Sequence, residues 1–332
     1  MTQDDTLQQT LQSALATLGA VSGLTRLSGG ASQETWRLTL TTAERQSQTM
    51  ILRRTPGGRP RPVSETAVTL DVEAQVLKAC HQAGIPCPRV VWTAGPDSEA
   101  GSAYLMDYVP GETIPRKILR DPEFAEARKV LAHQCGVVLA RIHAMPLSTL
   151  PDLNRMEAAG QLRQYRDIYD SYDYPHPVFE LAFKWLEARL PESTDPCLVH
   201  GDFRNGNLMV GPEGLRAVLD WELVHMGNPA EDLGWICVNS WRFGQSQNTV
   251  GGFGSLESLL KGYAEAGGRA ISPEEVRFWI AFGSLKWGIM CMTMYKAFET
   301  GADASVERAA IGRRASETEV DLLNIIYGTA LT

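Results

Sequence analysis

Asp202, Asn207 and Asp220 are the residues of this 332-residue chain whose types and spacing suit metal-assisted chemistry. The first two lie in "CLVHGDFRNGNLMV" (197–210), where the apolar runs "CLV" and "LMV" flank His200, Asp202, Arg204, Asn205 and Asn207. A plain loop would carry turn residues without this density of charge and amide. Asp220 ends the next strand but one, in "VLDWE". Folded as short hairpins, these strands bring two carboxylates and an amide oxygen around one space. Hard oxygen donors of this kind suit Mg²⁺, which takes one or two carboxylates together with substrate phosphates. Asp202, further out on the loop, can accept a proton from an attacking hydroxyl.

Other residues near these motifs have plainer readings. His200 closes a strand and reads as a brace for the loop. Arg204 reads either as a structural anchor or as a charge that offsets Asp202, and both readings stay open. Asp232, after "MGNPAE", reads as a helix-start or loop-bracing carboxylate. Trp235, Trp241, Trp279 and Trp287 read as core or pocket wall. Gly312-Arg313-Arg314 reads as a pocket-facing turn or a solvated helix start. The chain contains no Gly-Lys pair, hence no Walker A loop, and neither H-E-x-x-H nor G-x-S-x-G.

The elements that must position these groups fall into two kinds. Residues 4–18 have helical spacing. "GLTRLSGGASQETWRLTLTT" reads as strand, Gly-rich turn, strand, and "QTMILRRT" (48–55) as a third strand. After the Pro/Gly loop "PGGRPRP", a helix is expected from Val63 to Ala83, stopped by Gly84. "CPRVVWTA" and "SAYLMDYV" read as two further strands joined by "GPDSEAG". Most connections are too short for crossovers, so the five strands should be antiparallel. Beyond Pro110-Gly111 the pattern turns helical, over 121–144, 156–171 and 177–190. Three short strands follow (197–200, 207–210, 215–220), then mostly helix. Ser272-Pro273-Glu274-Glu275 is a helix start with N-cap, N1 proline and capping-box glutamate, and Gly301 is the matching stop. The expectation is an α+β fold of two domains, residues 1–108 and 109–332. A cleft between them would be a common place for a ligand.

Apolar residues make up 44% and charged residues 21%, an ordinary globular composition. The net charge of −8 disfavours a nucleic-acid or anionic-membrane partner, so neither is expected. Cysteines at 80, 87, 135, 197, 237 and 291, with no C-x-x-C pair, fit reduced thiols and a cytoplasmic location. The acidic opening "MTQDDTLQQTLQ" does not read as a signal peptide. The apolar run 278–295 is interrupted by Lys286 and reads as a buried helix.

"HGDFRNGN" resembles the H-G-D-x-x-x-x-N catalytic loop of the aminoglycoside phosphotransferase and choline kinase relatives, which share the protein-kinase fold. "LSGGASQETWRL", "LMDYVPG", "LDWE-x-x-x-x-G-x-P-x-x-D" and "GRR-x-x-E-x-E-x-DLL" are similar to runs of the phosphotransferase-like domain fused to some acyl-CoA dehydrogenases, in order from about residue 20 to 325. The resemblance implies a protein-kinase-like two-lobe fold, with a small antiparallel β-sheet lobe for nucleotide and a larger, mainly helical catalytic and substrate lobe. It implies ATP or GTP as the phosphoryl donor, with Mg²⁺ on Asn207 and Asp220. Asp202 would be the catalytic base, with Arg204 beside it. Ser28, Gly29, Gly30, Ala31 and Ser32 would cover the phosphates. Met106, Asp107, Tyr108 and Val109 would form the hinge against the base, through backbone groups of Asp107 and Val109. Glu73 would pair with Arg53, which stands where most relatives carry lysine. That exchange is not neutral at a phosphate, because a planar fork replaces a point charge. Gly206 stands where the nearest subfamily often has aspartate.

The implied activity is ATP/Mg-dependent phosphorylation of a small-molecule hydroxyl. The acceptors in view are a hydroxy acid, a hydroxyacyl-CoA, an amino alcohol or an aminoglycoside-like compound. Glu123, Glu126, Glu157 and Asp167 are the carboxylates that a polycationic acceptor would need. The alternative is a pseudokinase-type module that binds nucleotide or metabolite without transfer, and Arg53 is the feature that favours it.

Overall fold

A computed structural model gives the fold and describes residues 3–27, 33–59, 66–192 and 195–328. The chain forms two compact units, neither of them one continuous stretch. The first comprises Met1–Gly111, Pro146–Leu153 and Arg216–Val224; the second comprises Glu112–Met145, Asn154–Leu215 and His225–Thr332. The contact-defined division therefore returns to the first unit twice, whereas the sequence reading drew one cut after residue 108.

In the first unit, helix α1 (Gln3–Ala14) is followed by strands β1 (Ala20–Arg26), β2 (Glu34–Thr41) and β3 (Ser47–Arg54). Helix α2 (Leu70–Gln82) and strands β4 (Val90–Ala94) and β5 (Ala103–Asp107) complete it. The sheet order is β1-β2-β3-β5-β4, and every pairing is antiparallel. Strand alternation sends Trp36, Leu38, Leu40, Met50 and Leu52 into one apolar cluster with Leu7, Leu11 and Leu15. The same alternation places Arg53 opposite Thr35 on one side and Tyr104 on the other.

Helix α2 begins at Leu70, seven residues later than the sequence reading had it. Residues 60–65 lie outside the described residues. Val68 donates its N–H to the Glu222 carbonyl at 2.8 Å, so this backbone serves a long-range contact instead of a helical turn. Asp71 and Glu73 in the first turn suit the positive end of the helix dipole. At the other end Gly84, with φ 76°, closes the helix as expected.

The second unit is mainly helical. It contains α3 (Pro115–Arg120), α4 (Ala125–His143), α5 (Ala158–Asp170) and α6 (Pro177–Glu187). Next come strands β6 (Cys197–Val199) and β7 (Leu208–Gly211), with β8 (Gly214–Val218) as the hairpin partner of β7. Strand β9 (His225–Gly227) pairs antiparallel with β6, which fixes the start of the catalytic-type loop. Helices α7 (Ala230–Trp235), α8 (Leu256–Glu265), α9 (Pro273–Glu299), α10 (Val306–Gly312) and α11 (Ala315–Ile326) follow. Helices α4 and α8 cross closely through glycines. A Cβ on Gly136 would lie 2.0 Å from the Leu259 carbonyl oxygen, and one on Gly262 would lie 2.1 Å from that of His133.

Helix α9 is the long central helix. Its Ser272 Oγ accepts the Glu275 N–H at 3.1 Å, with Pro273 at N1, as the capping signature required. It ends at Glu299, and Gly301 has φ 75°. Among the described residues no helix is long and apolar enough to cross a membrane. All six cysteines are unpaired.

Candidate functional site

The loop after β6 is held from below by one carboxylate. Asp232, in the first turn of α7, is fully buried. Its Oδ2 accepts the His200 N–H at 2.8 Å, and its Oδ1 accepts the Gly201 N–H at 3.0 Å. His143, the last residue of α4, puts Nε2 3.2 Å from Asp232 Oδ2, and its Nδ1 lies 3.0 Å from the Tyr263 hydroxyl. Burial works against the Asp232 charge, but His143 and the His200 contacts outweigh it and hold the carboxyl below its ordinary range. His200 is itself buried, and its Nδ1 accepts the Asp202 N–H at 3.2 Å. Its role is to brace the loop, in keeping with the plainer reading of the sequence.

Asp202 is held at both oxygens. Oδ1 accepts from Trp235 Nε1 at 2.7 Å and from Arg204 Nε at 3.0 Å. Oδ2 accepts from Asn207 Nδ2 at 2.6 Å, with Arg204 Nε further off at 3.2 Å. A carboxylate has about four lone-pair sites. Three N–H donors meet them, with the Arg204 Nε–H shared between the two oxygens, so one site remains for another donor. Asn207 Nδ2 also reaches the Asp202 carbonyl at 3.0 Å, so the amide nitrogen is spent on Asp202 and Asn207 Oδ1 points away from it. Arg204 stacks its guanidinium 4.7 Å from the centre of the Trp241 ring. Asn205 pins the loop through the Gly251 carbonyl at 2.7 Å. Gly206 has φ 115°, where a side chain is strained, so glycine fits a position at which aspartate would not sit freely.

A second cluster lies in the first unit. Arg53 Nη1 is 2.9 Å from Asp220 Oδ1 and 3.4 Å from Glu73 Oε1. Glu73 Oε1 also accepts the Trp221 N–H at 3.2 Å. Burial acts against the Arg53 charge, but Glu73, Tyr104 and Asp220 overcome it, so the cation is firmly kept. Asp220 adopts left-handed backbone with φ 65°, a conformation that aspartate tolerates better than most residues. A carboxylate oxygen such as its Oδ2 is a hard donor of the kind magnesium takes. Among the described residues no group of three or more His, Cys, Asp or Glu forms a metal cluster.

The remaining nucleotide-side residues divide as follows. Met106 is buried, while Asp107 and Val109 are half-buried at the end of β5. The Asp107 N–H donates to the Arg89 carbonyl at 3.0 Å, and its carboxylate pairs with Arg89, so that donor is already engaged. Ser28, Gly29, Gly30, Ala31 and Ser32 lie outside the described residues.

Burial pushes the Glu73 carboxyl up to about 7, and Asp220 and Glu222 push the same way against the pull of Arg53. The folded chain thus binds this proton more tightly than the unfolded chain does. The stabilisation that the proton gives is full below about pH 4 and is lost as pH rises through 7. Between pH 5 and 8 the unfolding free energy of the native chain should fall relative to Glu73→Gln by ~1–3 kcal/mol. Urea titrations of the two proteins across that range measure it, and a gap independent of pH refutes it.

The antiparallel five-stranded sheet unit and the mainly helical unit, with an H-G-D-x-x-x-x-N loop in the latter, define a protein-kinase-like fold. The profile of the phosphotransferase enzyme family, APH, matches residues 23–279. The chain belongs to that family. Acyl-CoA dehydrogenase family member 10 of Mus musculus is 29% identical over 309 residues, covering 86% of this chain and 27% of its own length. The chain thus spans about a quarter of that relative. A choline/ethanolamine kinase family protein from Mesorhizobium loti superposes with a TM-score of 0.65 at 18% identity, covering 98% of this chain and 100% of that one. A thermostable mutant of aminoglycoside phosphotransferase APH(4)-Ia, in ternary complex with ADP and hygromycin B, has a TM-score of 0.62 at 16% identity, covering 98% and 99%. At these identities the structural likeness shows the fold.

Trp235 read from the sequence as core or pocket wall, and nothing in the residues announced its bond to Asp202.

Proposed function

We propose that the chain is an ATP- and Mg²⁺-dependent phosphotransferase acting on a hydroxyl group of a small molecule. The observation that carries this reading is the state of Asp202: three donors, Trp235, Asn207 and the shared Arg204 Nε–H, fix its two oxygens and leave one of about four lone-pair sites for a hydroxyl. Asp202 orients the acceptor oxygen and takes its proton as the oxygen attacks the terminal phosphorus. Arg53, fixed between Glu73 and Asp220, supplies a permanent positive charge for the nucleotide phosphates. Asn207 and Asp220 are the proposed magnesium ligands, and the ion supplies charge neutralisation on the phosphates. Phosphoryl transfer needs positioning and electrostatics more than covalent help, which is what these residues offer. ATP is the proposed donor; a structural relative was solved with ADP. Met106, Asp107, Val109 and residues Ser28, Gly29, Gly30, Ala31 and Ser32 keep their proposed nucleotide roles. Six unpaired cysteines support a reducing, cytoplasmic setting.

Three tryptophans lie in a row beside Asp202, with Trp235–Trp241 and Trp241–Trp287 centroids 5.2 and 4.9 Å apart. Each carries a cation: Lys286 at 5.0 Å, Arg204 at 4.7 Å and Arg314 at 5.8 Å. Those cations are paired with Glu231, Asp202 and Glu317, just as Glu126 and Glu157 are paired with Lys129 and Arg155. A hydroxy acid, its thioester, an amino alcohol and an aminoglycoside-like compound therefore all stay among the proposed acceptors.

A thermal-shift titration should show ATP stabilising the protein with Mg²⁺ and less without it. ATP-dependent phosphorylation in a metabolite extract, with the product identified by mass spectrometry, should yield a phosphorylated small molecule. Nucleotide binding without transfer to anything in the extract would replace this reading with the binding module.

A further inference from the structure

Lys286 is the only charged side chain among the buried residues of α9. An ammonium in such a place costs several kcal/mol unless its surroundings compensate. Its Nζ lies 3.9 Å from Glu231 Oε1, within ion-pair range but beyond a hydrogen bond. The same atom sits 5.0 Å from the centre of the Trp235 ring and 5.8 Å from that of Tyr165. Glu231 is anchored in turn, because its Oε2 accepts from Gln161 Nε2 at 2.7 Å and lies 3.2 Å from His225 Nε2. Burial alone would lower the Lys286 pKa; Tyr165, Glu231, Asp202 and Asp232 reverse that, so the cation persists. Trp235 is 4% exposed, packs against Trp241, and donates its Nε1–H to Asp202 Oδ1 at 2.7 Å. Cation, indole and carboxylate thus form one buried series.

We propose that Lys286 is a positioning residue for Asp202, acting through Trp235. The ammonium against the indole face fixes the ring in the orientation that aims Nε1–H at Asp202 Oδ1. It also draws electron density from the ring and makes that N–H a stronger donor. The carboxylate is thereby held in one orientation through Oδ1. The inference rests on Asp202 being the base that receives the hydroxyl, but the indole geometry can be tested without turnover.

The first test follows the ¹⁵N-labelled tryptophan side chains by NMR, with the Trp235 Nε1–H signal assigned through Trp235→Phe. In Lys286→Met that signal should move upfield, and its exchange with solvent should quicken by about tenfold, the scale of a desolvated cation–π contact. Lys286→Arg should restore most of both. Because Lys286→Met takes the ammonium away from buried Glu231, leaving it with Gln161 and His225, Lys286→Met/Glu231→Gln is measured beside it and should show the same indole change with the fold retained. An unchanged Trp235 signal in the folded variant overturns the proposal, whether or not the protein transfers phosphate. The second test uses Mg·ATP with water as acceptor. Lys286→Met should lower kcat about tenfold without changing KM for ATP, and adding it to Trp235→Phe should cost nothing further. Losses that multiply in the double variant would show that Lys286 does not act through the indole.

Discussion

Asp202→Ala abolishes nearly all phosphoryl transfer, with an expected fall in kcat of about 10²–10⁴-fold, while nucleotide affinity stays within roughly threefold of the native value. The split follows from where Asp202 is anchored. Its partners are Arg204, Asn207 and Trp235, all in the helical unit. The proposed phosphate cation Arg53 is instead held by Glu73 and Asp220 in the sheet unit. Removing Asp202 takes away the proposed orienting group for the acceptor oxygen without touching the arginine. Steady-state transfer and calorimetric titration of nucleotide measure the two halves. A variant that turns over like the native protein would end the assignment of Asp202 as base. A variant that loses nucleotide binding in step with kcat would show that Asp202 acts on the donor side.

Asp232→Asn is isosteric, yet it should destabilise the fold by ~2–4 kcal/mol and remove transfer as well. Both carboxylate oxygens accept backbone N–H groups, from His200 and Gly201. An amide must turn its NH₂ towards one of those donors, which leaves a buried N–H without an acceptor. His143 loses its anion at the same time. The loop that aims Asp202 begins at these two residues, so the damage reaches the site. Chemical denaturation and activity of one preparation check both. The native Asp232 contribution should also vanish in acid. Its carboxyl is held below the ordinary range, so its stabilisation is complete above about pH 4 and lost as pH falls through the depressed value. A variant within ~0.5 kcal/mol of native stability would mean that the bidentate contact is not what holds the loop.

Much of this was legible in the residues. The run His200–Asn207 placed Asp202, Arg204 and Asn207 together because a loop of eight residues between two strands leaves little choice. The Ser272 cap and the Gly84 and Gly301 stops were readable because they act locally. What escaped depended on distant partners. Helix α2 starts late because Val68 bonds Glu222, and nothing near Val63 announces that contact. Strand β9 is three residues long and exists because β6 pairs with it. Trp235 and Lys286 looked like core residues, and they are buried; their relation to Asp202 comes from packing between α7 and α9, which periodicity does not reveal. Arg53 was expected to meet Glu73, but its shorter contact with Asp220 joins positions 167 apart.

The return of Arg216–Val224 to the first unit has a consequence for synthesis. On a ribosome adding about 5–20 residues per second, Arg53 and Glu73 emerge on the order of ten seconds before Asp220 and Trp221. Until then Glu73 lacks the Trp221 N–H, and Arg53 lacks one of its two counter-ions. A fragment ending at Gly111 would reproduce that nascent state permanently. The sheet half of this protein therefore cannot be harvested with a single cleavage, because its last strap begins more than a hundred residues after Gly111.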